Sequence, residues 1–199
     1  MCTKKHSIAN PVENFEKTIQ QSLYHLSIGN TILYPTDTVW GIGCDALNPS
    51  AIDKVYSLKQ RDSNKPLLCI VSDIEMLHQY VEVKPEIECM LQEIKRPTTI
   101  IYPKAKNLPS NLLARNGSIA IRLVRDPFCT PLIQQFGKPI VSTSANLSEH
   151  PTPKTFKEIG QSILERVDYI VNLQTQKKQH RPSRLIQVLE NGTIICLRE

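Results

Sequence analysis

The sequence predicts an α/β fold built on a twisted, open, mixed β-sheet with flanking helices, and three observations support that class. Short apolar runs of strand length alternate with amphipathic stretches of helical period along the chain. Near the C-terminus, Asn191-Gly192 joins two such runs as a hairpin, which adds antiparallel pairing. A length of 199 residues, 40% hydrophobic and 22% charged, suits one domain with a sizeable core, assigned to residues 1–199.

The elements follow in order. Asn10-Pro11 reads as cap and first turn of a helix in which Val12, Phe15, Ile19, Leu23 and Leu26 recur at three- and four-residue intervals until Gly29. Strands are expected at 31–34 and 38–43. They break at Pro35, which lacks the N–H that a central ladder requires, and the break exposes Thr36, Asp37 and Thr38. Ser50 is expected to cap a helix over 51–60, followed by an apolar strand at 67–71. Asp73 opens a short helix, Pro85 another, and residues 98–102 return as a strand. Residues 103–117 read as a loop before a strand at 118–123. Asp126-Pro127 starts a helix containing Leu132, Ile133 and Phe136. From Pro139 a β segment runs into Ser142-Thr143-Ser144-Ala145-Asn146, a second strand end rich in polar groups. Strands at 169–173, 185–189 and 193–197 complete the sheet.

Composition excludes several classes. No apolar stretch approaches the roughly 20 residues that span a bilayer, and the lysine-bearing N-terminus lacks the apolar segment of a secretory signal. Six scattered cysteines show no metal-ligand spacing and no disulfide framework, so reduced buried thiols and a cytoplasmic location are expected, with no protein-bound transition metal. The net charge of +5 is a mild excess, with cations gathered at 59–65, 95–96, 122–125 and 177–184. Each cluster alone reads as a solvated face or as a contact for anions such as nucleotides or RNA.

Gly41-Ile42-Gly43-Cys44-Asp45-Ala46 fits a dinucleotide-binding pattern but does not open directly into a helix, so its glycines read as structural. Phosphate-loop and nucleophile-elbow motifs are absent, and nothing near Ser148 and His150 orients the histidine as a hydrolase would need. Lys59, Arg61 and Lys65 put three cations in seven positions between a helix end and a buried strand. They read either as charges favoured by the helix dipole or as a phosphate clamp, and the rigid setting of Arg61 beside Pro66 favours the clamp. The hydroxyls and amide of 142–146 suit a carboxylate, ribose or phosphate, or else turn capping.

In combination, Pro35-Thr36-Asp37-Thr38-Val39-Trp40-Gly41, Lys59-Gln60-Arg61 with Lys65-Pro66-Leu67, and Ser142-Thr143-Ser144-Ala145-Asn146-Leu147-Ser148 resemble the YrdC-type family of threonylcarbamoyl-AMP synthases, over nearly the whole chain from about residue 12. The resemblance implies a concave basic cavity in which L-threonine, bicarbonate or CO2, and ATP give threonylcarbamoyl-adenylate and pyrophosphate. That product is the first half of N6-threonylcarbamoyladenosine synthesis at position 37 of tRNA, with the label passed to downstream transfer machinery. By position, Thr38, Arg122, Ser144 and Ser183 would contact threonine. Lys59, Arg61, Lys65, Ser118, Asn146, Lys154 and Arg198 would contact ATP, Lys59 and Arg61 being the catalytic charges, with Mg2+ on the triphosphate.

The chain departs from the family pattern at Asp62, Ile70, Glu149, Lys154 and Arg184, where many members have Pro, His, Gly, Thr and Thr. Two other readings accompany the synthase: a module for double-stranded RNA or tRNA, and a paralogue with a changed substrate. Synthase chemistry needs alignment and charge neutralisation more than a covalent nucleophile, which matches a chain without a His or Cys centre. Arg61→Ala is expected to lower turnover by on the order of tenfold to thousandfold.

Overall fold

The computed structural model describes residues 11–173 and 181–199. Helix α1 (Pro11–Ser27) leads into β1 (Ile32–Tyr34) and β2 (Gly41–Gly43), then α2 (Pro49–Lys59), β3 (Leu68–Val71), α3 (Ile74–Tyr80) and α4 (Pro85–Glu93). Next come β4 (Thr98–Tyr102), β5 (Ile119–Leu123), α5 (Cys129–Phe136), β6 (Ile140–Ser144), α6 (Gln161–Leu164), β7 (Tyr169–Ile170), β8 (Arg184–Val188) and β9 (Ile194–Arg198). The cap expected at Asn10 and the basic residues 177–180 lie outside the described residues.

Among the described residues, nine strands form one mixed sheet in the order β7-β1-β2-β6-β3-β5-β4-β8-β9. Three pairs are parallel (β1 with β7, β3 with β5, β4 with β8) and the others antiparallel, and β8-β9 is the expected hairpin, turning at Gly192 with φ +89°. The core is continuous. Trp40, Tyr34, Tyr102 and Phe128 are its largest fully buried aromatic side chains. Helix α1 packs on α5 and β1, and Phe15 meets Phe128 edge to face.

Four local details differ from the sequence reading. The second strand begins at Gly41 rather than at 38. Thr36 Oγ1 accepts from Thr38 N at 3.1 Å and donates to Val39 O at 2.7 Å, so a hydroxyl-closed turn takes the groups a ladder would use. Helix α2 starts at Pro49, capped by Asn48 instead of Ser50: Asn48 Oδ1 accepts from Ala51 N, and proline at the first position has no N–H to satisfy. Helix α5 starts later than Pro127, because Asp126 Oδ1 accepts from the N–H groups of Phe128 and Cys129 in a tight turn. Strand β7 is two residues long, ending where Leu173 N turns back to Val171 O.

Strand pairing decides which side chains share a face. Gly41 pairs with Ser144, Leu68 with Ser142 and Ala120, and Ile70 with Arg122. Because side chains alternate along a strand, Gly41, Ser144, Ser142, Leu68 and Arg122 lie on one side of the sheet. The polar strand ends foreseen in the sequence thus open over the face that carries Arg122.

Candidate active site

A cavity of about 170 Å³ lies over this face, lined among others by Thr36, Thr38, Arg122, Ser144, Ser183 and Arg198. Each residue arrives by a definite route. Pro35 ends β1 and the hydroxyl-closed turn presents Thr38, whose Oγ1 lies 3.0 Å from that of Thr36. Ser144 stands at the end of β6. Arg122 projects from the interior strand β5, is buried, donates from Nη1 to Thr38 Oγ1 at 3.1 Å and pairs through Nη2 with Asp37 Oδ1 at 3.1 Å. Ser183, just before β8, is buried with its hydroxyl 2.7 Å from Thr99 Oγ1. Arg198, at the end of β9, donates from Nε and Nη2 to Ser183 O at 3.1 and 2.8 Å, tying the closing hairpin to the cavity rim.

A second cavity of about 450 Å³ is lined by Asn146, Leu147, His150, Pro151 and Pro153, and Thr152 lines both cavities. Asn146 donates to the carbonyls of Leu147 and His150 at 2.9 and 2.7 Å, which shapes the loop after β6. Lys59 joins the two regions: it is 1% exposed, and its ammonium donates to Ser144 O and, at 2.6 Å, to Asn146 O. Burial, with a smaller contribution from Arg61, lowers its pKa to about 7. A lysine ammonium has three donors, so one N–H remains for another acceptor.

The remaining candidates are placed differently. The half-buried Arg61 donates from Nε to Lys65 O at 2.8 Å and from Nη2 to Pro66 O at 3.0 Å, holding its own loop closed, and burial lowers its pKa. Lys65 forms a 2.8 Å ion pair with Glu149, whose backbone is left-handed at φ +68°. Ser118 donates its hydroxyl to Asn116 Oδ1 at 2.7 Å. Lys154 is exposed in a turn where its backbone N–H donates to Glu158 Oε2 at 2.9 Å. None of these four lines either cavity.

Sequence reasoning assigned no individual role to Thr36, Thr99 or Asp37. Thr36 carried a legible signal in the Thr-x-Thr spacing after a proline. Thr99 sits within an apolar strand and becomes relevant only through the pairing of β4 with β8. Among the described residues, no group of three or more His, Cys, Asp or Glu side chains could hold a metal ion. No described helix is long and apolar enough to cross a membrane.

Such an arrangement defines an α/β protein with a ligand site: a small cavity lined by hydroxyls and guanidinium groups, opening beside a larger one. A family model described as "Telomere recombination", that of the Sua5/YciO/YrdC domain, matches residues 25–199, and the chain belongs to this family. It is 35% identical over 166 residues to a threonylcarbamoyl-AMP synthase of Photobacterium profundum, covering 81% of this chain and 90% of that one. A threonylcarbamoyl-AMP synthase of Vibrio campbellii is 32% identical over 184 residues, covering 88% of this chain and all of that one. The fold is also that of P. abyssi Sua5 solved in complex with L-threonine, at TM-score 0.80 and 23% identity, over 90% of this chain and 53% of that chain. This chain therefore spans about half of that Sua5.

Proposed function

We propose that the chain is an L-threonylcarbamoyladenylate synthase, an enzyme that makes threonylcarbamoyl-AMP and pyrophosphate from L-threonine, bicarbonate or CO2, and ATP for N6-threonylcarbamoyladenosine formation in tRNA. Relatives at 32–35% identity are named threonylcarbamoyl-AMP synthase. The observation that carries the reading is the convergence of Thr38, Arg122, Ser144 and Ser183 on one cavity of about 170 Å³. That volume is below the ~300–1,000 Å³ of sites for drug-sized ligands and suits an amino acid. A guanidinium matches a carboxylate in fork geometry, and hydroxyls that pair with threonine's own hydroxyl select against analogues lacking it.

In this reading the triphosphate approaches across Lys59, with the rest of the nucleotide toward Asn146. Threonine's amine adds to CO2 with loss of a proton, giving a carbamate. A carbamate oxygen then bonds to the α-phosphorus while the P–O bond to the β-phosphate breaks, and pyrophosphate leaves with that electron pair. Lys59 supplies its remaining N–H and charge, and Arg198 a second charge at the cavity rim. The role of Arg61 is to hold the 61–66 loop as well as to add charge. Mg2+ enters with ATP, since phosphate oxygens and water are the usual magnesium ligands in nucleotide sites. The expected cytoplasmic location belongs to the same proposal.

Pyrophosphate release by the purified protein tests the reading. Release that requires ATP, bicarbonate and L-threonine together supports it, with Arg61→Ala slower by on the order of tenfold or more. Release with no need for threonine overturns it.

A further inference from the structure

The Asp37 carboxylate has no part in the chemistry just described, although it sits between two residues, Thr36 and Thr38, that line the threonine cavity. Its Oδ1 lies 3.1 Å from Arg122 Nη2, and Thr38 Oγ1 accepts from Arg122 Nη1 at the same distance. Two consecutive residues thus hold the two terminal nitrogens of one guanidinium. The pairing is dry: the side chains of Arg122 and Asp37 are 4% and 13% exposed. Asp37 itself lines a neighbouring cavity, of about 240 Å³, with Lys95, Thr98 and Arg125. Its carboxylate therefore reaches Arg122 through the wall of the threonine site.

We infer that Asp37 is a positioning residue, one that fixes the guanidinium of Arg122 at the angle from which it meets the threonine carboxylate. The inference rests on the threonine reading above. A buried guanidinium can turn about its side-chain torsions, and each turn points its fork elsewhere. Thr38 alone supplies one neutral acceptor. Asp37 adds a charged ion-pair partner that does not line the threonine cavity, so Arg122 keeps its direction whether or not threonine is bound. The carboxylate also offsets the cost of burying Arg122 before the substrate arrives. The orientation is thus set in advance, which lowers the ordering cost of binding. Because ATP lies toward Lys59 and Asn146, the effect belongs to threonine and not to the nucleotide.

Steady-state kinetics on Asp37→Asn and Asp37→Ala, with each substrate varied in turn, test the inference. Asparagine keeps the shape and one acceptor while removing the charge, so it serves even if alanine prevents folding. The expected result is a threonine KM raised by about threefold or more in Asp37→Asn and about tenfold or more in Asp37→Ala, with the ATP KM within about twofold of wild type. In the Arg122→Ala background, Asp37→Asn should have no further effect on the threonine KM, because the group it positions is gone. An unchanged threonine KM overturns the inference, as does a parallel rise for both substrates, the mark of general damage. A wild-type protein inactive with threonine overturns the functional reading, and this inference with it, and is distinguished by appearing before any substitution is made.

Discussion

Lys59 shows how a single residue couples the fold to the chemistry. Its ammonium is enclosed with carbonyl partners, and burial brings its pKa to about 7. In the unfolded chain the same group titrates near ~10.4. Between these values the unfolded state binds more protons, so this residue's contribution makes the fold more stable as pH rises from about 7 toward 10, and the penalty is fully present below 7. An anionic triphosphate beside Lys59 favours the charged form and raises its pKa. ATP binding at pH 8 is therefore accompanied by proton uptake, measurable by calorimetry in buffers of different ionisation heat; no uptake would mean that phosphate does not reach Lys59. Lys65 and Glu149 provide a second test. Their ion pair links the loop after α2 to the loop after β6, and the hydrogen bond and charge of Lys65 hold the Glu149 carboxyl below its usual pKa. Glu149 is also a non-glycine residue at φ +68°, where glycine is at ease. Glu149→Gly should free Lys65 and lower the ATP KM by about twofold to fivefold, with no loss in melting temperature. An unchanged KM would show that Lys65 stays outside the nucleotide site. The partners of Arg61 were illegible in the sequence because backbone carbonyls took them, and every residue has a carbonyl.

At the scale of elements, short-range chemistry explains both the agreements and the differences. Proline at the first turn, the Asn-Gly hairpin and the alternation of apolar runs are local signals, and the corresponding elements formed. The boundary differences arose where a side chain bonded its own backbone, as at Thr36 and Asp126, since a hydroxyl or carboxylate can serve a turn or a helix cap equally well. The Asn48 cap gives a direct prediction: Asn48→Ala should destabilise the protein by about 1 kcal/mol, read in a denaturant titration. Gly43 tests the rejection of the dinucleotide pattern. A Cβ there would stand 2.5 Å from Val141 O and 2.8 Å from the Tyr34 ring, both within the sheet core. Gly43→Ala should therefore cost about 1–3 kcal/mol of stability while leaving the substrate KM values of the folded fraction unchanged. A selective loss of nucleotide affinity would restore a binding role to that glycine.

For the whole molecule, the sequence identified faces but not neighbours. Alternation shows which side chains share a side of a strand, yet nothing local states that β6 lies between β2 and β3, or that β8 pairs with β4. Arg122 and Thr38 therefore meet across 84 positions of sequence through an order of strands that no local signal states. The same order brings Ser183 and Arg198 from the C-terminal hairpin to the cavity. An RNA-binding role would rest on phosphate contacts and fall steeply with salt, whereas occupation of the enclosed threonine cavity should change little between about 50 and 200 mM salt, on the order of twofold or less. The central claim is that this cavity holds threonine for carboxylation and adenylation. Mass spectrometry of reactions with ATP, L-threonine and 13C-bicarbonate tests it most directly: labelled threonylcarbamoyl-AMP is predicted from the wild type and its near-complete loss from Arg122→Ala at low threonine. Equal labelled product from both proteins, or none from the wild type, would contradict it.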